Sequence, residues 1–177
     1  SGFTIIALNA ARACGSHDTL KALVDSITED VPSWAAMFIS ECDASSQDLD
    51  FASDAHLHLR HMPGKGSRPM RWIVNSRFKS NMKSCKWLGR SGALTLGSVC
   101  IIGTHGALGD SLAASLVDTA TLVKQRAWGT VPVVVGDQNI DILPVQACDP
   151  WSLVPDRSAK HAQERCLLYA WLTATGL

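Results

Sequence analysis

Apolar positions in this chain follow two rhythms: short runs rich in β-branched and aromatic residues, and longer stretches with an apolar residue every third or fourth place. Phe3 to Leu8 is a run of the first kind, ends at Asn9, and predicts a buried strand. Gly15-Ser16-His17-Asp18 is a turn with Ser16 or Asp18 as N-cap. Leu20, Leu23, Val24 and Ile27 then predict a helix over roughly Asp18 to Thr28. Val31-Pro32 ends it, and Trp34 to Ile39 is a second buried strand stopping at Ser40-Glu41-Cys42-Asp43. A strand, a helix and a strand so close together fit a parallel crossover, although spacing alone leaves the strand direction open.

Asp43 to Asp54 is polar and reads as a loop. His56 to Arg60 alternates as a strand does, Pro63 to Ser67 reads as a loop or hairpin tip, and Met70 to Val74 is another strand. Lys83 to Leu88, Ala93 to Leu96 and Ser98 to Ile102 continue the run, broken at Gly89-Arg90-Ser91-Gly92 and at Gly97. Connections this short cannot hold helices, so an antiparallel meander is predicted. Leu112, Leu116, Thr119, Leu122 and Val123 place a helix at about Asp110 to Arg126, and Asp156 to Thr175 reads as a last one. Between them Val131 to Val135 is a short buried strand closed by Gly136. Helices interleaved with outer strands around a meander predict an α+β layered fold in one domain.

Length and composition narrow this picture. With 177 residues, 46% hydrophobic and 18% charged, the chain is a globular domain with a substantial core. No apolar run approaches the ~20 residues of a bilayer span, so no membrane partner is expected. No signal peptide is visible, which implies an intracellular protein. The chain starts at Ser1 rather than methionine, which reads as a piece of something longer. Its six cysteines (Cys14, Cys42, Cys85, Cys100, Cys148 and Cys166) are scattered without a C-x-x-C pair, arguing against a zinc site or disulfide framework and for reduced, mostly buried thiols.

Zero net charge hides an asymmetry. No Asp or Glu lies between Ala55 and Gly109, whereas nine of the sixteen Lys and Arg residues do. That block points to an anionic partner, with Arg68, Arg71, Arg77 and Lys79 as candidate nucleic-acid contacts. The plainer alternative is a solvated basic surface. Trp72 and Trp87 among these charges could stack on bases, but core packing is the commoner use. His56, His58 and His61 cluster without a nearby acid and read as surface or phosphate contacts rather than a metal site.

Chemistry is suggested where strands end. Asn9, Glu41, His105 and the pair Asp137 and Asn139 each follow a predicted strand, so a rigid sheet would deliver them to one rim. Glu41 is a hard oxygen ligand suited to Mg²⁺. Asp137 could align a water, Asn139 could hold that water or a phosphate oxygen, and His105 could donate to the phosphate. A turn-building role for Gly136-Asp137 and Asn139-Ile140-Asp141 is the plainer reading.

These residues carry a resemblance. Leu8-Asn9, Ile39-Ser40-Glu41, Gly103-Thr104-His105 and Gly136-Asp137-Gln138-Asn139 occur in the order of the endonuclease/exonuclease/phosphatase superfamily, the group related to deoxyribonuclease I. It extends to Glu164-Arg165 and the closing Thr-Gly-Leu. It implies a β-sandwich flanked by helices, of which the N-terminal portion is present. It also implies a metal-dependent phosphodiesterase using Mg²⁺ (or Mn²⁺) on DNA, with Asn9, His105, Asp137 and Asn139 catalytic and Glu41 on the metal. Within that group the chain looks most like an endonuclease domain of a non-LTR retrotransposon, implying a linked reverse transcriptase and a nuclear site of action.

One departure matters. The family's later Ser-Asp-His is missing, and His161 lies in a predicted helix and cannot replace it. The resemblance therefore implies an N-terminal portion without activity of its own. Two other readings compete. One is a non-catalytic remnant that binds nucleic acid or a partner protein. The other is a GDSL-type esterase with Ser111 as nucleophile in Gly109-Asp110-Ser111-Leu112. The esterase fails on position and on the lack of a following Asp-x-x-His, and Asp110-Ser111 reads better as a helix N-cap.

Overall fold

A computed structural model describes residues 3–11, 13–43, 56–64, 67–106, 111–137 and 170–174. The chain opens with β1 (Thr4–Asn9), α1 (His17–Asp30) and β2 (Trp34–Ser40). Ser16 begins α1 with a reciprocal capping box: its hydroxyl accepts from the Thr19 backbone N–H while Thr19 Oγ1 accepts from the Ser16 N–H. β1 and β2 pair in parallel, Ile6 beside Met37 and Asn9 beside Ser40, as the crossover spacing suggested.

Two further strands, β3 (Leu57–His61) and β4 (Met70–Val74), complete one sheet in the order β1-β2-β4-β3. The meander divides here. A 3₁₀ turn, Ser76–Asn81, carries the chain across to a second sheet, and the sequence pattern had not marked it. That sheet is β5 (Met82–Leu88), β6 (Ser91–Leu96), β7 (Val99–His105) and β8 (Val131–Asp137), in sequence order, with α2 (Ser111–Lys124) crossing from β7 to a parallel β8. Only 170–174 of the last predicted helix fall among the described residues, and they are helical.

Strand alternation sorts the side chains into layers. Phe38, Trp72 and Val74 face Leu94, Leu96 and Ile101 of the other sheet and form the sandwich interior. Met37, Ile39 and Ile73 face outward onto Leu20 and Val24 of α1. On the other side Ala93, Cys100 and Ile102 pack on Leu122 and Val123 of α2, while Leu112 and Leu116 meet Trp171 and Leu172. The result is helix, sheet, sheet, helix: the α+β sandwich expected. Because both faces of β2 and β4 are covered, every residue in them is buried. No described helix is long and apolar enough to cross a membrane, and the described cysteines are free thiols.

Candidate active site

β1, β2, β7 and β8 all finish at one end of the sandwich, so their last residues share a rim. The registers fix this: Asn9 lies beside Ser40, and His105 beside Asp137. Asn9 Nδ2 donates to Asp137 Oδ2 at 2.9 Å, joining the two sheets across 128 residues of sequence. The same amide's Oδ1 accepts from the Ala11 backbone N–H at 2.9 Å, closing a turn that holds the side chain still. The Asp137 carbonyl accepts from Gly106 N–H, at 2.7 Å.

Gly136 makes this register possible. Its φ is +133°, and a Cβ there would lie 1.9 Å from the Thr104 carbonyl oxygen. Only glycine lets β8 run this close to β7 while turning Asp137 toward Asn9.

Glu41, one residue past β2, has φ +55°, in the left-handed region that a non-glycine residue enters at a cost. Flanking bonds hold it there, from Ala10 N–H to the Ser40 carbonyl and from Cys42 N–H to the Pro69 carbonyl. The conformation brings Glu41 Oε1 to 3.4 Å from His105 Nε2, with the carboxylate still partly open to solvent.

His105 is buried. Arg90, in the turn between β5 and β6, brackets it: Arg90 Nε donates to the His105 carbonyl at 3.0 Å and Nη2 to Nδ1 at 2.7 Å. His105 N–H in turn donates to the Arg90 carbonyl at 3.0 Å. Burial, and next the Arg90 charge, depress the imidazole pKa below its ordinary value, against the opposing pull of Glu41 and Asp137. Beneath the ring, Ser91, Thr104 and Thr119 share buried hydroxyl bonds of 2.8 to 3.4 Å that tie β6, β7 and α2 together.

Four of the five expected site residues therefore converge: Asn9, Glu41, His105 and Asp137. Asn139 lies outside the described residues, as does His161. Arg90, which the sequence offered only as one of nine basic residues, proves to be the arginine that grips His105. The basic block fares differently. Arg68 stands at the rim, paired with Asp43 Oδ2 at 2.7 Å. Arg71 corrects the expectation: it is fully buried, facing α1 beside the Cys42 and Cys14 thiols, and presents no surface to a duplex. Arg77 and Lys79 are exposed, but on the 3₁₀ turn at the opposite end of the strands. Trp72 is core, donating its indole N–H to the Gly92 carbonyl at 3.2 Å, and Trp87 stacks on His61. Ser111 is the exposed first residue of α2.

The rim's donor set can be tested against a divalent cation. Glu41 and Asp137 supply hard carboxylate oxygens within one polar cluster, and among the described residues no three His, Cys, Asp or Glu side chains are placed to hold a metal ion by themselves. One or two carboxylates, with water and substrate oxygens completing the shell, is the pattern Mg²⁺ takes at phosphate sites, so these residues fit it. They would not make a closed zinc site.

No family model and no curated protein sequence matches the chain. Solved structures do. The 3′ phosphatase NExo from Neisseria, bound to product DNA hairpin, aligns with a TM-score of 0.56 at 13% identity, over 77% of this chain and 56% of that one. The 3′-5′ exonuclease NExo from Neisseria meningitidis gives 0.56 at 14% identity, over 77% and 57%. Humanized D. rerio TDP2 gives 0.52 at 11% identity, over 89% and 65%. These likenesses show the fold: an α+β sandwich of deoxyribonuclease I-like type. The chain spans 56% to 65% of the length of these three structures.

Proposed function

We propose that the rim of Asn9, Glu41, His105 and Asp137 is the centre of a metal-dependent phosphodiesterase acting on DNA. One observation carries this reading: four polar side chains, delivered by the ends of four strands from both sheets, meet at a single point. In this reading Asp137 accepts the proton of the attacking water, its carboxylate aimed by the Asn9 amide. His105 donates from Nε2 to a phosphate oxygen, where charge grows as the water adds. Asn139 would steady that water or oxygen. Glu41 would hold Mg²⁺ or Mn²⁺, which supplies Lewis-acid polarisation of the phosphoryl group when bound. Substrate class is supported by the neighbours, one described as a 3′ phosphatase bound to a DNA hairpin and another as a 3′-5′ exonuclease. Retrotransposon origin, a linked reverse transcriptase and a nuclear location belong to the same proposal, on the sequence resemblance alone.

The test separates an enzyme from a nucleic-acid-binding module. Mn²⁺ added to the ¹⁵N-labelled chain should broaden amide signals around Glu41 and Asp137, and Glu41→Gln should abolish that broadening. Joined to a segment that carries the Ser-Asp-His the resemblance calls for, the protein should cleave a labelled DNA duplex only with Mg²⁺ or Mn²⁺, and the same variant should lose that cleavage. If Mn²⁺ broadens no rim signal while salt-sensitive duplex binding survives Glu41→Gln, the chain is a binding module and the proposal fails.

A further inference from the structure

Arg90 touches His105 and nothing in the proposed chemistry uses it. It does not merely lie near the ring. Its carbonyl accepts the His105 backbone N–H, its Nε donates to the His105 carbonyl at 3.0 Å, and its Nη2 reaches Nδ1 at 2.7 Å. Three bonds between two residues fix both the backbone and the ring of His105.

The chemistry of that last bond decides a proton's place. A guanidinium has five N–H donors and no acceptor, so Nδ1 must offer its lone pair. A neutral imidazole accepting at Nδ1 carries its hydrogen on Nε2. That nitrogen is buried and hydrogen-bonded to nothing among the described residues, with Glu41 Oε1 at 3.4 Å beside it. A buried donor left unmade is costly, and such groups persist where a ligand completes them.

Arg90 is itself held from behind. The preceding Gly89 carbonyl accepts the His61 Nε2–H at 3.0 Å, and the His61 ring stacks on Trp87 with centroids 4.8 Å apart and planes 11° from parallel. The turn that aims Arg90 is thus clamped to β3 and to β5.

We propose that Arg90 is a positioning residue: it locks His105 in the Nε2–H form and holds that N–H toward an oxygen of the phosphate ester bound beside Glu41. The identity of the acceptor rests on the phosphodiesterase reading, whereas the tautomer does not. A residue that merely stabilised the fold would leave the ring's proton distribution alone.

Long-range ¹H–¹⁵N correlation of the labelled chain, at a mildly alkaline pH where the ring is neutral, reads the tautomer directly. The unmodified protein should show a protonated Nε2 and an unprotonated Nδ1 for His105. Arg90→Met should lose the uniform signature, with both tautomers populated and the ring broadened. Arg90→Lys keeps the charge but has a single donor nitrogen in place of the fork, and should restore the signature in part. An Nδ1–H form in the unmodified protein overturns the proposal without any variant, so a variant that fails to fold does not protect it. An unchanged Nε2–H form in folded Arg90→Met also overturns it. On DNA, with the Ser-Asp-His segment joined to the chain, Arg90→Met should lower kcat on the order of 10²-fold with KM little changed. A raised KM with the tautomer intact would make Arg90 a direct phosphate ligand instead, again overturning the proposal. If the tautomer depends on Arg90 while the protein joined to a Ser-Asp-His segment cleaves nothing under any metal, the positioning role stands and the phosphodiesterase reading falls.

Discussion

The two ends of this sandwich lie about 20 Å apart along the strands. Both are made of turns and both carry basic residues, yet they are built on different terms. At the rim, bonds run between elements distant in sequence: Asn9 to Asp137, Arg90 to His105, Arg68 to Asp43. At the far end such bonds also cross elements, as Ser76 N–H does to His56 Nδ1 at 3.0 Å, but the charged side chains stay local. Among the described residues Arg126 donates only to the Val123 and Thr130 carbonyls around the end of α2, and Trp128 beside it is 100% exposed. A long-range bond holds a side chain against the whole fold, whereas a local one closes a helix end and leaves the surface free to vary. Fixed polar groups aimed at one point are what charge-stabilising catalysis requires, so the wiring of its charged side chains, rather than their number, singles out the rim.

Glycines at the two ends should break this comparison or sharpen it most. Gly136→Ala at the rim would drive a Cβ to 1.9 Å from the Thr104 carbonyl, against backbone that cannot move without losing the His105–Asp137 register. Destabilisation of about 3 kcal/mol or more is expected. Gly129→Ala at the far end has φ +79° but nothing within 4 Å of its Cβ. It should cost about 1–2 kcal/mol, from the left-handed conformation alone. Urea unfolding followed by fluorescence reads both, and equal losses would mean the rim is no more constrained than the far end.

The hydroxyls beneath the rim come next. Thr119 Oγ1 lies 2.8 Å from Ser91 Oγ and 3.4 Å from Thr104 Oγ1, and donates to the Ser115 carbonyl at 2.9 Å. Thr119→Val keeps the shape but leaves the Ser91 hydroxyl with Thr104 alone, at a cost of about 1 kcal/mol in the same unfolding measurement. The Thr121 hydroxyl, also on α2, donates to the Val117 carbonyl of its own helix and is partly exposed, and Thr121→Val should be close to neutral.

How much of this was legible beforehand follows from the physics of each feature. Strands and helices could be read because apolar periodicity is local. The rim residues could be read because a buried strand ends at a fixed place, so Asn9, Glu41, His105 and Asp137 announced themselves by following apolar runs. The split of the meander could not, since Ser76–Asn81 turns through a 3₁₀ segment without apolar spacing. Arg71 misled because alternation says which side of a strand a residue takes, not whether a helix covers that side. Its neighbours Met70 and Trp72 face the other sheet, and Arg71 faces α1. Arg90 was within reach of counting. From the Gly97-Ser98 turn, Leu96 pairs with Val99 and Ser91 with Thr104, which sets Arg90 against His105. What the sequence withheld was the guanidinium's direction.

Charge gives the smallest and most discriminating contrast. Sequence placed Arg68, Arg77 and Lys79 in one basic block, but the fold separates Arg68 at the rim from the other two at the far end. Each phosphate neutralised steepens the dependence of log affinity on log salt by about 0.9 for duplex DNA. Arg68→Gln should therefore flatten the slope by about that amount, as the side chain leaves Asp43 for a phosphate. Arg77→Gln combined with Lys79→Gln should leave it unchanged, although it removes twice the charge. Fluorescence anisotropy of a labelled duplex, titrated between low and physiological salt, measures both. The opposite pattern would put the nucleic acid on the far end, where Lys124, Arg126 and the bare Trp128 stand, and would separate binding from the rim altogether. Order at the rim would then have to be explained by something other than a bound phosphate.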